Sequence, residues 1–218
     1  LIKICQQNEI SYDSDIITNG YLLNEVLIDK LIKCKIKKIQ ITLDGPQNVH
    51  DKRRFLKNKR GTYNTIIKNI VAVLEKADYF DRLLIRINID KSNSHKANEL
   101  ICSLKSIDTK NKLDIYPART RGEGSDYFTV SEFADVMCKL CPQLGQKKII
   151  SPNKHIHCMA ETVSHFSVNA DGDIYKCHED FGRKEFVIGN ILDNDVMHGI
   201  GNKNRTYSYE FLNYNPND

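Results

Sequence analysis

The sequence lacks several features that would at once assign it to a class of protein. No apolar run approaches the roughly 18 residues of a membrane-spanning helix. Residues 5–9 interrupt the first apolar residues, so no signal peptide is expected. No glycine-rich phosphate-binding motif follows a candidate strand, because Thr18-Asn19-Gly20 holds a single glycine. These absences predict a cytoplasmic protein without a membrane partner and disfavour a dinucleotide-binding domain.

An excess of charge of one sign is also missing. The 218 residues carry 32 basic and 28 acidic side chains and are 40% hydrophobic, which suits one large globular domain with or without a small appendage. Basic residues cluster at 33–38 and 52–60. Such clusters fit either a nucleic-acid surface or a solvated face. Lysines that alternate with apolar residues, without a nucleic-acid motif, favour the solvated face, so no nucleic-acid partner is predicted.

Cysteine is present in an odd number. Seven cysteines stand at positions 5, 34, 102, 138, 141, 158 and 177. An odd count in a chain of this length is atypical of a disulfide framework and directs attention to metal or cluster ligation. One zinc interpretation combines Cys138 and Cys141 with His155, His157 and Cys158. A single residue separates the two histidines, which is not the spacing of a zinc finger.

Apolar runs rich in isoleucine and leucine alternate with helical patterns through the first half of the chain. The runs predict strands, and apolar spacings of three and four predict helices, with Thr62 as an N-cap. The predicted strands are 15–20, 38–45, 83–90 and 112–117, and the predicted helices are 22–34, 63–77 and 94–105. This order indicates βα units around a parallel sheet, which an open doubly wound sheet and a barrel satisfy equally.

The pattern changes in the second half of the chain. Ser131 is the predicted N-cap of a short amphipathic helix. Farther on, Asp171-Gly172 predicts a hairpin turn. Its first strand is expected to alternate Phe166, Val168 and Ala170 inward. A small β structure is therefore predicted near the end of the chain.

Polar residues end three of the predicted strands. They are Thr18-Asn19-Gly20, Thr42-Leu43-Asp44-Gly45 and Asn88-Ile89-Asp90. In parallel βα architectures ligands bind at the carboxyl ends of the strands, although Asn and Asp at such positions also serve turns and caps. Three polar ends in one sheet favour a binding site.

Together with their neighbours, these segments resemble a known family. The ordered set is Thr18-Asn19-Gly20-Tyr21-Leu22-Leu23, Ile41-Thr42-Leu43-Asp44-Gly45-Pro46, His50-Asp51-Lys52-Arg53-Arg54, Gly61-Thr62-Tyr63 and Ile85-Arg86-Ile87-Asn88-Ile89-Asp90. In order and spacing it is similar to radical SAM enzymes of the peptide-modifying and sulfatase-maturing branch. The resemblance covers about residues 15–120. It implies an α/β fold in which residues 1–120 form a partial (β/α)6 radical SAM barrel with strands three to six.

The resemblance also implies cofactors and site residues. Members hold a 4Fe-4S cluster on a C-x3-C-x2-C motif and bind S-adenosylmethionine, whose reductive cleavage gives a 5′-deoxyadenosyl radical. Carried over to this sequence, Thr42 and Arg54 lie near the methionine carboxylate and Asn88 near the ribose. Asn19 is a further cofactor-binding candidate at a strand end, whereas Asp44 organises the end of its strand. The implied substrate is a peptide or protein.

A second resemblance begins at Cys158. Thirteen residues separate it from Gly172, and four separate Gly172 from Cys177. This C-x13-G-x4-C pattern is similar to the opening of a SPASM domain and implies that Cys158 and Cys177 are cluster ligands. The implied division is a helical linker over 121–157 and the start of the SPASM domain over 158–218.

His178 departs from the pattern of the sulfatase-maturing members, which have an aspartate base at this position. A histidine still suits the role of a base, because its ordinary pKa is near 6.5. The departure favours an unspecified peptide maturase, with a sulfatase-maturase-like enzyme as the alternative.

Several motifs of the family are missing from the sequence. It contains no C-x3-C-x2-C and no Gly-Gly-Glu segment, and no cysteine follows Cys177. The expectation is a fragment of the parent enzyme that is inactive alone and holds no cofactor or only adventitious metal. A degenerate barrel that acts as a peptide-binding module is the non-enzymatic alternative. Without the first two strands, strand three has an open edge, which predicts that the chain self-associates through that edge or covers it with its own tail.

Overall fold

The computed structural model describes residues 2–122, 124–144, 160 and 165–193. Contacts between Cα atoms divide the chain into two units, Leu1–Ile149 and Ile150–Asp218.

The first unit is built on a parallel sheet of four strands in the order β1-β2-β3-β4. The strands are β1 (Asp15–Thr18), β2 (Lys38–Leu43), β3 (Arg82–Ile89) and β4 (Leu113–Arg119). Neighbouring strands in the sheet are also consecutive in the chain, and a helical segment connects each pair. This arrangement confirms the predicted α/β fold class and is consistent with a partial radical SAM barrel.

Six α-helices lie within the described ranges. They are α1 (Ile2–Gln7), α2 (Glu25–Lys33), α3 (Gln47–Arg53), α4 (Tyr63–Glu75), α5 (Ala97–Ile107) and α6 (Val130–Leu144). Short 3-10 turns occupy Ala77–Tyr79 and Ser94–Lys96. None of the described helices combines the length and the apolar character that crossing a membrane requires.

The hydrophobic core lies between one face of the sheet and the helices. Every second residue of β2 and β3 is buried, as the alternation of apolar and polar residues predicts. Ile41 and Ile85, for example, are 3% and 1% exposed and pack in one cluster with Ile70 of α4 and Leu100 of α5. A fully buried side chain of this kind contributes roughly 1.5–3 kcal/mol to folding.

The other face of the same strands carries mainly polar side chains, with Leu84 of β3 as an apolar exception. We use the name polar face for the half-buried side chains Gln40, Thr42, Arg86, Asn88 and Tyr116. These residues alternate along β2, β3 and β4 with the buried apolar ones. The two faces of one sheet therefore differ in chemistry, with packing on one side and hydrogen-bonding groups on the other.

Asp51, rather than Thr62, supplies the side-chain cap of α4. Thr62 does precede the helix, but its hydroxyl donates to the carbonyl oxygen of Arg54 at 2.8 Å. The Oδ1 atom of Asp51 instead accepts from the backbone N–H groups of Thr62 and Tyr63 at 2.8 and 2.9 Å. The prediction that Thr62 caps the helix is right for the position and wrong for the side chain.

The prediction that Ser131 caps the next helix is wrong. Helix α6 already begins at Val130. Thr129 and Glu132 form a reciprocal capping box, in which the Thr129 hydroxyl accepts from the Glu132 N–H at 3.2 Å and the Glu132 carboxylate accepts from the Thr129 N–H at 2.7 Å. Hydrogen bonding by Lys91 and then by Thr129 lowers the pKa of Glu132 to about 2.

The second unit contains a three-stranded antiparallel sheet in the order β5-β6-β7. The strands are β5 (Ser167–Val168), β6 (Asp173–Tyr175) and β7 (Gly189–Asn190). The predicted hairpin is confirmed, with Gly172 at φ +86°, in the left-handed region that glycine tolerates best.

The predicted inward side of this hairpin is wrong. Phe166 and Val168 are 40% and 44% exposed, and Ala170 is exposed as well. The buried side chains are instead Ile174 and Tyr175 of the central strand β6. Strand β5 is an edge strand of only two residues, so its side chains gain little cover from the sheet.

Candidate functional site

The carboxyl ends of β2 and β3 meet in one hydrogen-bonded cluster. The guanidinium of Arg54 binds the carboxylate of Asp44 in a bidentate manner, with Nε–Oδ2 and Nη2–Oδ1 distances of 2.7 and 3.2 Å. Asn88 donates to the same Oδ1 atom at 3.1 Å. The side chain of Asp44 is only 7% exposed, so this pairing satisfies a carboxylate that burial would otherwise destabilise.

Asn93 ties the two strand ends together from the loop after β3. Its amide donates to the carbonyl oxygens of Asp44 and Asn88 at 2.6 and 2.8 Å, and its Oδ1 atom accepts from the N–H of Asp90 at 2.8 Å. Asn93 is 3% exposed. Both the N–H groups and the oxygen of this side-chain amide therefore hold the backbone at the carboxyl ends of β2 and β3 in place.

His50 supports the same cluster from α3. Its Nδ1 atom accepts from the backbone N–H of Asp44 at 3.3 Å, and its Nε2 atom lies 3.2 Å from the hydroxyl of Thr62. That hydroxyl proton is already directed at the carbonyl of Arg54, so Nε2 carries the hydrogen and donates it. Burial lowers the pKa of His50 below 6.5, which agrees with this neutral tautomer.

A second arginine secures the neighbouring strand end. Nη2 of Arg53 binds Oδ1 of Asp90 at 2.8 Å and also reaches the hydroxyl of Ser92. Burial acts to raise the pKa of Asp90, but the hydrogen bonds from Arg53 and Ser92 outweigh burial and lower that pKa. The adjacent arginines therefore each neutralise one carboxylate at a strand end.

The polar face continues from this cluster along the sheet. Parallel register places Arg86 of β3 beside Thr42 of β2 and Tyr116 of β4. Arg86 Nε donates to the side-chain oxygen of Asn88 at 2.9 Å, and the Tyr116 hydroxyl donates to that of Gln40 at 2.7 Å. The arrangement offers donors and acceptors to a ligand that lies on this face.

The structure brings three of the predicted cofactor-binding residues to one region of the sheet. Thr42 lies on the polar face two residues before Asp44, and Arg54 and Asn88 both hydrogen-bond that carboxylate. Arg54 therefore has a carboxylate partner inside the chain. Whether these residues bind a cofactor stays a prediction.

Asn19 lies apart from the hydrogen-bonded cluster around Asp44. It is exposed, and its Oδ1 atom accepts from the backbone N–H of Tyr21 at 3.0 Å, so it shapes the turn after β1. Asn69 of α4 clamps the same turn by donating to the carbonyls of Gly20 and Tyr21 at 2.8 and 2.9 Å. No described hydrogen bond joins Asn19 to the carboxylate of Asp44.

The predicted residues of the second unit are described only in part. Cys177 is partly buried, whereas the side chain of His178 is 73% exposed and lies 3.5 Å from the carboxylate of Glu179. Cys158 lies outside the described residues. Within the described ranges, no three His, Cys, Asp or Glu side chains are grouped closely enough to hold a metal ion. The described residues therefore do not by themselves form an iron–sulfur site.

The alternative zinc site also lies largely outside the described part of the chain. Cys138 of α6 is exposed. The side chain of Cys141 and the residues His155, His157 and Cys158 are not among those described.

Sequence reasoning gave no role to several residues that build the site, Arg53 among them. His50, Asp51 and Asn93 are internal supports, and Arg86 lies on the polar face. Arg86 had a signal in the period of two along residues 82–89, which places it opposite the buried Ile85 and Ile87. His50 and Asp51 stand in the segment 50–54 that is part of the family resemblance, but nothing in the sequence indicated the supporting contacts that they make, and Asn93 had no signal.

Several solved structures have a fold similar to that of this chain. The structure matches anSMEcpe with bound AdoMet and Cp18Cys peptide, with a TM-score of 0.68 and 16% identity over 100% of this chain and 66% of that chain. It also matches histidine-tagged anSMEcpe with bound AdoMet, with a TM-score of 0.65 and 14% identity over 100% of this chain and 62% of that chain. This chain therefore spans less than two thirds of either. At such identities the likeness shows the fold, which is the radical SAM fold.

Sequence comparison is less informative. No family model matches the chain. The orotate phosphoribosyltransferase of Buchnera aphidicola subsp. Baizongia pistaciae (strain Bp) is 31% identical over 70 residues, which are 31% of this chain and 34% of that protein. A match over less than a third of the chain does not assign a family.

Proposed function

We propose that this chain is the S-adenosylmethionine-binding part of a radical SAM oxidoreductase that modifies a peptide or protein. The observation that carries the proposal is the cluster at the ends of β2 and β3, where Asp44, Arg54 and Asn88 meet beside the polar face. Ligands of parallel α/β folds bind at this edge of the sheet. The solved anSMEcpe structures of the same fold contain AdoMet, which supports the choice of ligand.

In this proposal the residues of the chain bind and orient while the cofactor supplies the radical chemistry. Thr42, Arg54, Asn88 and Asn19 are the proposed contacts to S-adenosylmethionine. The described contacts give the Thr42 hydroxyl no partner, so its donor and acceptor are both available to a ligand. Arg54 retains N–H groups beyond those that bind Asp44, and its side chain is 36% exposed.

The peptide or protein substrate is a separate part of the proposal. A peptide is present in the anSMEcpe structure with AdoMet, which supports the same class of substrate here. We propose that His178 acts as the base toward that substrate. The exposed side chain of His178 is accessible for this role.

We propose three regions for the parent protein: a partial barrel over 1–120, a helical linker over 121–157 and the start of a SPASM domain over 158–218. Cys158 and Cys177 are the proposed ligands of an auxiliary cluster. The sequence holds no C-x3-C-x2-C motif, and we propose that the chain is a fragment that does not cleave S-adenosylmethionine by itself.

The proposed ligand is tested by calorimetric titration of the full chain with S-adenosylhomocysteine. The sequence predicts a fragment without a bound cofactor, but the unpartnered Thr42 hydroxyl and the exposed N–H groups of Arg54 lead us to expect binding of this compound. Thr42→Val is expected to weaken that binding several-fold, because the hydroxyl is removed while the shape of the side chain is kept. Thr65→Val is the matched control, since Thr65 is exposed on α4. A wild-type chain that does not bind this compound contradicts the proposed function.

The proposed inactivity is tested after anaerobic incubation with iron, sulfide and a reductant. The expected result is no 5′-deoxyadenosine from S-adenosylmethionine, measured by mass spectrometry. Formation of 5′-deoxyadenosine would contradict the inactivity while supporting the reaction class.

A further inference from the structure

Arg86 lies near the middle of the polar face and is half-buried. Its Nε atom donates to the side-chain oxygen of Asn88 at 2.9 Å. Within the described contacts this is the one hydrogen bond of its side chain, and no ion pair involves it. The remaining N–H groups of the guanidinium are thus available on a surface where burial makes an unmatched charge unfavourable.

The other cations on or beside this face are matched by carboxylates. Each forms a salt bridge within the chain: Lys38 with Asp13, Arg82 with Asp114 at 3.1 Å, and Arg54 with Asp44 at 2.7 Å. Among the described basic residues of β2 and β3, Arg86 alone has no carboxylate partner.

We propose that Arg86 anchors a binding subsite for a carboxylate group on the polar face. This inference deepens the proposed function and rests on it. A guanidinium donates two parallel N–H bonds to the two oxygens of a carboxylate. One unmatched positive charge balances one carboxylate, whereas a phosphate monoester carries about −1.5 to −2 and would leave negative charge uncompensated.

The neighbouring strands complete the subsite. Register places the side chain of Thr42 on one side of Arg86 and that of Tyr116 on the other. The Thr42 hydroxyl has no described partner and is free to donate to the same carboxylate. Asn88 holds the Nε end of Arg86, which leaves the two terminal nitrogens without a described partner and available to the ligand.

Arg54 is less suited to this role, although it stands nearer the strand ends. Its Nε and Nη2 atoms already bind Asp44 in a bidentate manner. A ligand carboxylate that takes those donors must displace a buried acidic side chain, and a ligand at Arg86 displaces none.

The ligand carboxylate has two possible chemical sources, the amino-acid end of S-adenosylmethionine and an acidic residue of a peptide.

Two pairs of probes distinguish these sources on the full chain. The first pair is S-adenosylhomocysteine and S-methyl-5′-thioadenosine, which lacks the amino-acid end. The second pair is acetyl-Ala-Glu-Ala-amide and its neutral Gln counterpart. Dissociation constants are measured by calorimetry or NMR titration for the wild type, Arg86→Gln, Arg86→Lys and the control Arg82→Gln, whose side chain lies on the same face of β3 and is paired with Asp114.

The expected result is that the wild type prefers the carboxylate member of one pair, which identifies the source. Arg86→Gln is expected to weaken that member about tenfold without changing its neutral counterpart. Arg86→Lys retains the charge and is expected to lose only part of the preference, and Arg82→Gln is expected to keep all of it. Thermal unfolding of each variant confirms that the fold is retained.

Two results overturn the inference. One is a wild type without a carboxylate preference in either pair, and the other is an Arg86→Gln variant that behaves like Arg82→Gln. Failure of the proposed function has a different signature, because then neither adenosyl compound binds the wild type at all. A preference for the acidic peptide would support the Arg86 subsite even in that case.

Discussion

Nε2 of His50 donates a hydrogen bond to the hydroxyl of Thr62 over 3.2 Å, and this contact joins helix α3 to the start of α4. Through Nδ1 the same ring holds the backbone of Asp44, and through Thr62 it holds the carbonyl of Arg54. Both partners of the bidentate ion pair at the site are therefore positioned by one neutral imidazole.

The first prediction concerns pH. Burial lowers the pKa of His50 below 6.5 in the folded chain, so near that pH the unfolded chain binds a proton that the folded chain does not. The free energy of unfolding should therefore fall as the pH falls from about 6.5 toward the lowered pKa, and this contribution should be fully present above 6.5. Urea denaturation at pH 7.5 and 5.5 measures the change.

His50→Gln is expected to show a shallower loss of stability between these two pH values than the wild type. His95→Gln is the matched control, because it makes the same substitution at an exposed histidine. If the free energy of unfolding depends on pH in the same way for the wild type and His50→Gln, then His50 does not cause the loss of stability at low pH.

The second prediction concerns the cap of α4. Asp51→Ala removes the carboxylate that accepts from the N–H groups of Thr62 and Tyr63. The free energy of unfolding is expected to drop by about 1–2 kcal/mol, measured by urea denaturation at pH 7. Asp51→Asn keeps an acceptor oxygen and is expected to retain most of the stability.

Asp29→Ala serves as the control for this experiment. Asp29 pairs with Lys76 on the surface and is 53% exposed, so its removal is expected to change the stability by less than about 0.5 kcal/mol. If Asp51→Ala and Asp29→Ala lower the free energy of unfolding equally, the contacts of Asp51 at the start of α4 do not stabilise the fold more than a surface ion pair does.

The third prediction concerns the edge of the sheet at β1. In the described part of the chain β1 is an edge strand, and Ile17 on it is 70% exposed. We propose that this edge supports self-association, because an edge strand presents unpaired backbone groups to another chain. Ile17→Lys is expected to lower the apparent mass in sedimentation velocity at high concentration, whereas the wild type is expected to gain mass with concentration.

Val71→Lys is the control for the edge, because Val71 is 37% exposed on helix α4 rather than on a strand. The two substitutions add the same charge at different places. A wild type that stays monomeric over the whole concentration range would refute self-association.

The elements of the first unit were predictable because their signals are local. Ile39, Ile41 and Leu43 alternate with polar residues, and this alternation fixes which face of β2 packs on the helices. The spacing of Ile66, Ile70 and Val73 similarly fixes the buried side of α4. The alternation of apolar and polar residues shows which side of a strand is apolar, but not whether other elements pack on that side. For that reason the prediction that Phe166 and Val168 are buried is wrong.

The supports of the site were not predictable in the same way, because each depends on a partner that is distant in the chain. Asp51 accepts from the N–H of Thr62, which lies 11 residues later, and Asn93 binds the carbonyl of Asp44 from 49 residues away. An aspartate or asparagine in a loop carries no mark of such a distant partner. Only the folded sheet brings these groups together.

The two bonds from Asn93 to the carbonyls of Asp44 and Asn88 have a consequence for ligand binding. They join Asp44, which directly follows β2, to Asn88, the penultimate residue of β3, before any ligand arrives. A ligand at this edge therefore does not have to order the backbone that receives it, and less of its binding free energy is lost to conformational entropy.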